Sequence, residues 1–361
     1  MAYSGTVGTT VINVQTMIDH GARRCGKLAE ELTSEQVLSA RQSLFFLLSA
    51  LANIGINYWA ISKKVFGLNA DQYIYTMPAG CIDVLNVLYR QMNRPTPNGT
   101  GGYVTSAGGV VANVYDSDVD TYCQQTSADG NISVDFGTDN PIYSGSIGIL
   151  PYVAGGGVAT WSIVYEYSTD GVTWSTLYDL GEIVVKDNEW VWQDIDPGQS
   201  VQLYRVRAYN TTTLSLREWF IGNNSREIQM ARLNRDDYTN LPNKNFTANQ
   251  PYQFWFDRTI PFPTVYLWPT PSDPFIQMTV WYQRQIMDVG ALTDELEVPQ
   301  RWYEAIIFML SHRMSLELPQ VPMDRTLYLE KMADRYFTEA EAEERDKSPI
   351  YLSPNISVYT R

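Results

Sequence analysis

The chain has 361 residues, of which 44% are hydrophobic and 18% are charged, and its formal net charge is −14. A chain of this length and composition buries the cores of two or more domains, which excludes an intrinsically disordered protein. The acidic balance excludes a protein that wraps nucleic acid by releasing counterions, because that mode of binding needs a basic surface. It does not exclude a conduit along which DNA slides.

The three cysteines, Cys25, Cys81 and Cys123, are far apart and show no Cys-x-x-Cys spacing. They predict neither a disulfide framework nor a zinc site, and reduced thiols in a cytoplasm are the simpler interpretation. The first residues lack a basic stretch followed by an apolar run, so no signal peptide is expected. The longest apolar run, residues 44–56, contains polar residues and is too short to span a bilayer.

The N-terminal part predicts two antiparallel helices. Apolar residues at helical spacing predict the first over residues 11–25, and Gly26 ends it. Thr33 and Gln36 form a capping box, which predicts that the second helix begins there and runs to about Ile54.

After the two helices, the spacing of apolar residues changes from a helical pattern to the alternation typical of strands. Residues 72–77 and 82–88 alternate apolar and polar side chains, and Pro78 and Gly80 lie between them in a turn. We interpret these residues as a strand pair that joins a later hairpin in one sheet.

The later hairpin is predicted from aromatic and β-branched residues at 252–257 and 264–268, which prolines separate from their neighbours. A further strand at 275–285 and helices at 299–317 and about 324–346 are predicted from alternation and from helical spacing.

The stretch from Asn234 to Pro271 carries a resemblance. It contains Asp-Asp-Tyr ending at Tyr238, Pro-Asn-Lys ending at Lys244, an aromatic strand ending in Asp257, and then Leu-Trp-Pro-Thr-Pro. In this order the motifs resemble the β-domain of head-to-tail adaptor proteins of short-tailed phages, also called tail tubular protein A or head-completion proteins. The resemblance extends over residues 13–90 and 223–346. Its structural motif residues are Tyr238, Lys244, Trp268, Pro269 and Pro271.

This resemblance implies an α+β fold, in which a helical body carries a small antiparallel β-domain. It also implies a ring of copies, expected to be a dodecamer, at the head-tail junction of a virion. Such a ring docks under the portal protein, helps to retain packaged DNA and contacts the tail tube or nozzle protein. DNA passes through it without specific binding, and neither a cofactor nor a membrane is involved.

A separate domain is predicted between residues 96 and 222. This segment has fifteen acids and four bases, a net charge of −11, against −3 for the rest of the chain. Short strands with turn signals replace the helical pattern, which predicts an inserted all-β jelly-roll sandwich. The predicted divisions are an adaptor body at 1–95 and 223–347, the insert at 96–222, and an extended C-terminal arm at 348–361.

The insert resembles the discoidin or coagulation-factor C-type jelly roll of galactose-binding-like domains. The resemblance rests on Asn113–Tyr122, Ile132–Gly137, Ile147–Ile149, Tyr167–Trp174 and Leu203–Arg207, in that order. In that family the first acidic loop can hold calcium and the far loops can hold carbohydrate. The resemblance makes Asp116, Asp118 and Asp120 candidate calcium ligands, although three aspartates on one loop are also typical of a solvated turn. Trp161, Trp190 and Trp192 either contact carbohydrate or belong to the core.

The C-terminal arm is apolar, aromatic and spaced by prolines. Pro349 and Pro354 exclude a continuous helix and favour an extended path. An extended apolar segment docks in a groove or adds a strand to a neighbouring sheet, so we expect the arm to contact the portal or an adjacent copy. A tail packed on its own subunit is the alternative. The candidate interaction residues are Ile350, Tyr351, Leu352, Ile356, Val358 and Tyr359.

The sequence leaves three functions open. The first is the structural adaptor, and the second is a carbohydrate-binding surface or tail protein, whose insert binds glycans or other virion proteins. The third, a glycoside hydrolase, needs two carboxylates across a sugar cleft, and no acid pair is singled out by its context. His20 and His312 lack a partner motif, so no enzymatic activity is expected.

Overall fold

The computed structural model describes residues 12–51, 58–93, 95, 97, 103–105, 110–125, 130–209, 213–273 and 275–344. Its helices are α1 (Val14–Cys25), α2 (Ser34–Leu51), α3 (Arg235–Thr239), α4 (Gln300–Glu317) and α5 (Met323–Glu343). Its strands are β1 (Ile61–Gly67), β2 (Ile74–Thr76), β3 (Cys81–Asn93), β4 (Tyr103–Thr105), β5 (Cys123–Gln125), β6 (Asn131–Asp135), β7 (Ile142–Tyr143), β8 (Ser146–Pro151), β9 (Val158–Ser168), β10 (Ser175–Lys186), β11 (Val191–Asp194), β12 (Ser200–Val201), β13 (Leu203–Tyr209), β14 (Leu214–Gln229), β15 (Ala231–Leu233), β16 (Thr247–Ala248), β17 (Gln253–Asp257), β18 (Thr264–Trp268), β19 (Thr270–Pro271) and β20 (Ile276–Arg284).

The chain divides into two units, one formed by residues 1–61 with 283–361 and the other by residues 62–282. Together they give the predicted α+β class, with several antiparallel sheets and a β-sandwich. Among the described residues, no helix combines the length and the apolar character needed to cross a membrane.

Short-range signals set the helix ends of the first unit. The Asn13 side chain accepts a hydrogen bond from the backbone of Thr16 at 2.8 Å, which caps α1, and Gly26 ends that helix with a φ of 89°. The predicted capping box is confirmed, because the Gln36 side chain accepts from the Thr33 amide at 2.9 Å and the Thr33 hydroxyl accepts from the Gln36 amide at 3.3 Å.

The core of the first unit lies between α1, α2, α4 and α5. Helix α1 lies so close to α4 that a Cβ added at Gly21 would be 2.9 Å from the Met314 sulfur. Each apolar side chain buried here contributes roughly 1.5–3 kcal/mol relative to an exposed one. The fully buried members include Val14, Met17, Ile18, Leu44, Leu47, Ile306 and Leu310.

The second unit contains the predicted sandwich. One sheet has the strand order β10-β9-β13-β6-β4, and the facing sheet is formed by β5, β14, β8 and β11. Inward side chains of the two sheets share one core, whose members include Ile163, Tyr165, Tyr204, Val206, Ile147, Ile149, Trp219 and Ile221. The alternation of buried residues along β13 is that of a strand with one face in the core.

Strand β14 runs out of the sandwich and into the sheet beside it. Its first residues pair with β5, the stretch from Leu216 to Gly222 pairs with β8, and the stretch from Asn223 to Gln229 pairs with β3. The facing sheet therefore continues through β3 and β20 to β1. The predicted boundary at residue 222 falls inside this strand, and the division into body and insert stays a prediction.

A smaller sheet has the order β15-β17-β18-β2 and contains the predicted hairpin. Phe254 pairs with Leu267 in it, and β2 pairs with β18. The prediction that β2 and β3 lie in one sheet was wrong, because β3 belongs to the larger sheet. Both sheets contribute to one core, so Tyr75 of β2 and Val84 of β3 are buried in the same cluster of apolar side chains.

A charged cluster connects the sandwich to the neighbouring strands of the same unit. Arg90 on β3 donates through Nη1 to both carboxylate oxygens of Asp194 on β11, at 2.8 and 2.9 Å, and also pairs with Glu227. Lys63 on β1 pairs with Asp194, and the Ser146 hydroxyl donates to it at 3.3 Å. Burial raises the pKa of the Asp194 carboxyl, but the hydrogen bonds from Lys63 and Arg90 outweigh burial and leave the pKa lowered.

The cysteines Cys25, Cys81 and Cys123 are free and buried. Burial raises the pKa of Cys25 to about 11 and that of Cys81 to about 12, so both are protonated and poorly nucleophilic at neutral pH.

Candidate functional site

A cleft of about 720 Å³ opens in the second unit, and its lining comes from two distant stretches of sequence. One is the stretch from Lys64 to Pro78, which contains the end of β1 and all of β2, and the other is the turn that runs from Lys186, the last residue of β10, to Trp190, just before β11. Pockets of this size hold small organic ligands in other proteins. The cleft is therefore our candidate functional site.

The turn on one side of the cleft is held in a fixed conformation. Asn188 has a φ of 55°, a left-handed conformation that asparagine tolerates better than most residues. Its amide donates to the Pro151 carbonyl at 3.1 Å, and the Asp187 amide donates to the Gly157 carbonyl at 3.1 Å. These backbone hydrogen bonds hold the turn that carries the Asn188 side chain in one conformation.

Hydrogen bonds also join the two sides of the cleft. The Asn69 side-chain amide donates to the Asn188 carbonyl at 3.3 Å and to the Gln72 side chain at 2.9 Å, and Gln72 donates to the Ile74 carbonyl at 3.0 Å. Within the described parts of the chain, Asn69 Oδ1 and the Asn188 side chain make no hydrogen bond. The cleft thus retains amide donors and acceptors for a ligand.

Most of the charged side chains that line the cleft form ion pairs. Asp187 pairs with Arg217 at 3.2 Å, and both side chains are largely buried. Lys186 and Glu189 form an exposed pair at 3.5 Å. Lys64 forms no ion pair with any residue that the structure describes, and its Nζ lies 5.9 Å from the Phe66 ring. One unmatched cation therefore faces the cleft.

The tryptophans proposed as carbohydrate contacts are core residues. Trp161, Trp190 and Trp192 are 6%, 7% and 9% exposed, so all three are core residues, and for Trp190 the two interpretations are compatible because it also lines the cleft. Trp190, which lines the cleft, stacks on Trp192 at 4.7 Å between ring centres. A Cβ added at Gly67 would lie 2.2 Å from the Trp190 Cβ, so only glycine lets β1 approach the indole this closely.

Two carboxylates of the acidic loop, those of Asp116 and Asp118, accept hydrogen bonds from the backbone of the loop itself. Asp116 Oδ1 accepts from the Asp118 amide at 2.9 Å, and Asp118 Oδ1 accepts from the Asp120 amide at 3.0 Å. Thr121 donates its hydroxyl to Asp116 Oδ2 at 2.8 Å. Among the described residues, no group of three acidic, histidine or cysteine side chains is placed to hold a metal ion. Calcium binding by Asp116, Asp118 and Asp120 stays a prediction.

An aromatic stack attaches the acidic loop to the sandwich. The Tyr122 and Tyr152 rings are 3.8 Å apart and nearly parallel, and the Arg217 guanidinium lies 5.0 Å from the centre of the Tyr152 ring. Arg217 also donates to the Val119 carbonyl at 2.8 Å. The hydrogen bond with Tyr122 raises the pKa of the Tyr152 hydroxyl. Arg217 therefore holds both the acidic loop and, through Asp187, the turn at the cleft.

The adaptor motif residues meet at the smaller sheet. Tyr238 on α3 stacks on Trp255 at 4.9 Å, burial raises its pKa to about 12, and Lys244 Nζ lies 5.8 Å from its ring. Trp268 donates its indole N–H to the Asn243 carbonyl at 2.9 Å. Pro269 and Pro271 are buried in the segment that includes β19, which pairs with β16.

The predicted interaction residues of the arm, Ile350, Tyr351, Leu352, Ile356, Val358 and Tyr359, lie outside the described residues.

Sequence reasoning did not find the cleft. Lys64, Asn69 and Gln72 lie in a stretch that reads only as strand and turn, and no motif connects them with Asn188. The one available signal was the Asp-Asn pair at 187–188, which is typical of a turn with a positive φ.

The comparisons with known proteins concern the fold. No protein-family model matches the chain, and no curated protein matches it. Among solved structures, the CBM32 of AlyQ in complex with 4,5-unsaturated mannuronic acid is 15% identical over 35% of this chain and 97% of its own, with a TM-score of 0.30. CBM32-1 from a family 31 glycoside hydrolase of Clostridium perfringens is 14% identical over 37% of this chain and 99% of its own, also with a TM-score of 0.30. A pectin-binding carbohydrate-binding module is 18% identical over 36% of this chain and 93% of its own, with a TM-score of 0.30. All three are carbohydrate-binding modules, and none is a phage adaptor.

Proposed function

We propose that the second unit binds a carbohydrate and that the cleft between β1–β2 and the 186–190 turn is its binding site. The observation that carries this proposal is the lining of the cleft. Amide side chains, one unmatched lysine and Trp190 are among the residues that line a space of about 720 Å³. We further propose that the chain is a structural protein without catalytic activity.

The chemistry of the lining suits sugar hydroxyls. Each hydroxyl donates one hydrogen bond and accepts others, so its best partners are groups such as amides, which offer both functions side by side. Asn188 offers both functions from a rigid turn, and Asn69, whose side-chain N–H groups already donate to Gln72 and to the Asn188 carbonyl, offers Oδ1 as an acceptor. Both groups are held in place before a ligand binds, which reduces the entropy lost on binding. A site with few strong hydrogen-bonding or charged groups binds a single sugar weakly. Several copies of the protein that bind the same polysaccharide together would raise the avidity.

A glycan array probed with the full chain tests this proposal, followed by calorimetry on the best ligand. Asn188→Gly removes the candidate side chain and keeps the positive φ, so it tests binding without straining the turn. Loss of its hydrogen bonds should weaken binding about 3- to 10-fold.

Asn140→Ala is the matched control, because Asn140 also lies in a turn of the sandwich and does not line the cleft. It should bind as the wild type does. The proposal fails if no glycan binds below a Kd on the order of 1 mM. It also fails if Asn188→Gly binds unchanged.

The second candidate function is the head-to-tail adaptor. Its support is the motif order in residues 234–271, together with a helical unit formed from both ends of the chain. On this proposal copies form a ring, expected to be a dodecamer, between the portal protein and the tail tube or nozzle protein at the head-tail junction. Packaged DNA passes through without specific binding, and the carbohydrate site belongs to the virion surface.

Electron microscopy of the purified protein mixed with its portal protein tests the adaptor role. The expected result is a ring of copies seated on the portal. Particles that stay monomeric at concentrations on the order of 10 µM, where ordinary specific interfaces are occupied, would count against it. Carbohydrate binding by the second unit would be unaffected by that outcome.

A further inference from the structure

We infer that the cleft recognises a saccharide that carries a carboxylate group, that Lys64 pairs with this carboxylate, and that the 186–190 turn binds the neutral hydroxyls. This inference rests on the proposed carbohydrate-binding function and names the chemical class of its ligand.

The charge of the cleft favours an anionic ligand. Asp187 is neutralised by Arg217, and Glu189 is neutralised by Lys186, so the acids that line the cleft already have partners. Lys64 has none among the described residues, and its ammonium group is left with solvent and the Phe66 ring. In a chain with a net charge of −14, the cleft therefore offers one free positive charge. A carboxylate on the ligand supplies the missing partner, whereas a neutral sugar leaves Lys64 unpaired.

The position of Lys64 is fixed relative to the turn. Gly67, three residues later on the same strand, packs its backbone directly against Trp190 of the turn. The hydrogen bond from Asn69 to the Asn188 carbonyl joins the same two segments at 3.3 Å. A ligand that reaches both Lys64 and Asn188 therefore meets a preformed arrangement.

The site is composite in sequence. Lys64, Asn69 and Gln72 lie outside residues 96–222, which carry the resemblance to galactose-binding-like domains, whereas Asn188 lies inside them. Discrimination by charge thus depends on β1, and binding of hydroxyls depends on the sandwich. The sandwich segment alone would lack the group that distinguishes an acidic sugar from a neutral one.

The test compares each acidic saccharide with its own uncharged form. Trimers of galacturonic, glucuronic and mannuronic acid, each with its methyl ester, are titrated into the full chain by calorimetry at low salt. The ester keeps the hydroxyls and removes the charge, so the ratio of the two Kd values isolates the carboxylate. For at least one trimer we expect the acid to bind about three- to fivefold more tightly than the ester, the gain typical of a solvent-accessible ion pair.

Three variants assign the effect to Lys64. Lys64→Met keeps most of the length of the side chain without its charge and should abolish the preference for the acid over its ester. Lys64→Arg should preserve the preference. Lys331→Met removes an exposed lysine that does not line the cleft and should behave as the wild type does. Raising the salt to about 0.5 M should reduce the preference for the acid, because an accessible ion pair is screened.

The outcomes separate this inference from the proposed function. Equal binding of acid and ester to the wild type overturns the inference and leaves carbohydrate binding intact. A preference for the acid that persists in Lys64→Met also overturns it, because the carboxylate would then bind elsewhere. Failure of every acid and every ester to bind overturns the inference, and together with an empty glycan array it overturns the proposed function.

Discussion

Replacing Asp194 by asparagine tests how the sandwich is connected to the strands beside it. Asp194 accepts two hydrogen bonds from Arg90 Nη1, at 2.8 and 2.9 Å, and its charge also pairs with Lys63. The Arg90 side chain is 6% exposed. Among the described residues, the substitution therefore leaves a nearly buried guanidinium group with Glu227 as its remaining ionic partner.

The expected loss of stability follows from these exposures. Removing one partner of a fully buried ion pair costs about 3–5 kcal/mol. The Asp194 side chain is 29% exposed and that of Glu227 is 39% exposed, so water and Glu227 compensate for part of the loss. We expect the free energy of unfolding of the second unit to fall by about 2–3 kcal/mol, or roughly 4–12 °C in Tm.

The stability that the charge of Asp194 contributes depends on pH in a direction that its pKa determines. The pKa of Asp194 in the folded chain lies below its usual value of 3.8, so its charge contributes stability above that value. The contribution is lost as the pH falls through the lower pKa of the folded state, because the wild-type carboxyl is then protonated as well. The difference between wild type and Asp194→Asn should therefore shrink progressively as the pH falls below 3.8.

Glu189→Gln is the matched control, because it also turns a carboxylate into an amide. Its partner Lys186 is 3.5 Å away, and the two side chains are 62% and 64% exposed, so we expect a change below about 0.5 kcal/mol. Urea unfolding followed by tryptophan fluorescence measures both variants. A loss for Asp194→Asn no larger than that for Glu189→Gln would refute the reasoning, and so would a loss independent of pH.

Two further predictions concern packing and assembly. In Gly148→Ala the new Cβ would lie 2.2 Å from Cε3 of Trp192, its cross-strand neighbour, so we expect a loss of about 1–3 kcal/mol in urea unfolding, and an unchanged midpoint would contradict this packing. Deleting residues 348–361 should leave the far-ultraviolet circular dichroism per residue unchanged and abolish co-sedimentation with the portal protein, whereas assembly with normal affinity would show that the arm is not the assembly element.

Local signals were sufficient for much of the fold. Gly26 ends α1, and Thr33 with Gln36 begins α2, because each of these effects depends on residues within one helical turn. The hairpin of β17 and β18 was predicted nearly to the residue, since aromatic and β-branched residues alternate and prolines flank them.

Strand pairings and contacts between residues that are far apart in the sequence could not be predicted in the same way. The Gly-Asn-Asn sequence at 222–224 has the composition of a turn, yet the structure continues β14 through it with a bulge near Asn224, because β8 and β3 both offer partners. Similarly, β2 and β3 separate into two sheets because their apolar faces meet across a shared core. The cleft combines Lys64 with Asn188, which no periodicity or motif relates.

The continuity of β14 has a mechanical consequence. A tether of flexible residues would let the sandwich swing and would lengthen under load while every strand stayed paired. Here a force that pulls the sandwich along the axis of β14 acts parallel to the strand. It therefore loads the hydrogen bonds between Asn223–Gln229 and β3 in shear, because ladder hydrogen bonds are perpendicular to the strands. In shear these bonds share the load and must rupture together, whereas a transverse pull would open them one at a time. The sandwich is thus anchored most firmly along the direction of β14, and the ion pair between Arg90 on β3 and Asp194 on β11 reinforces the anchor.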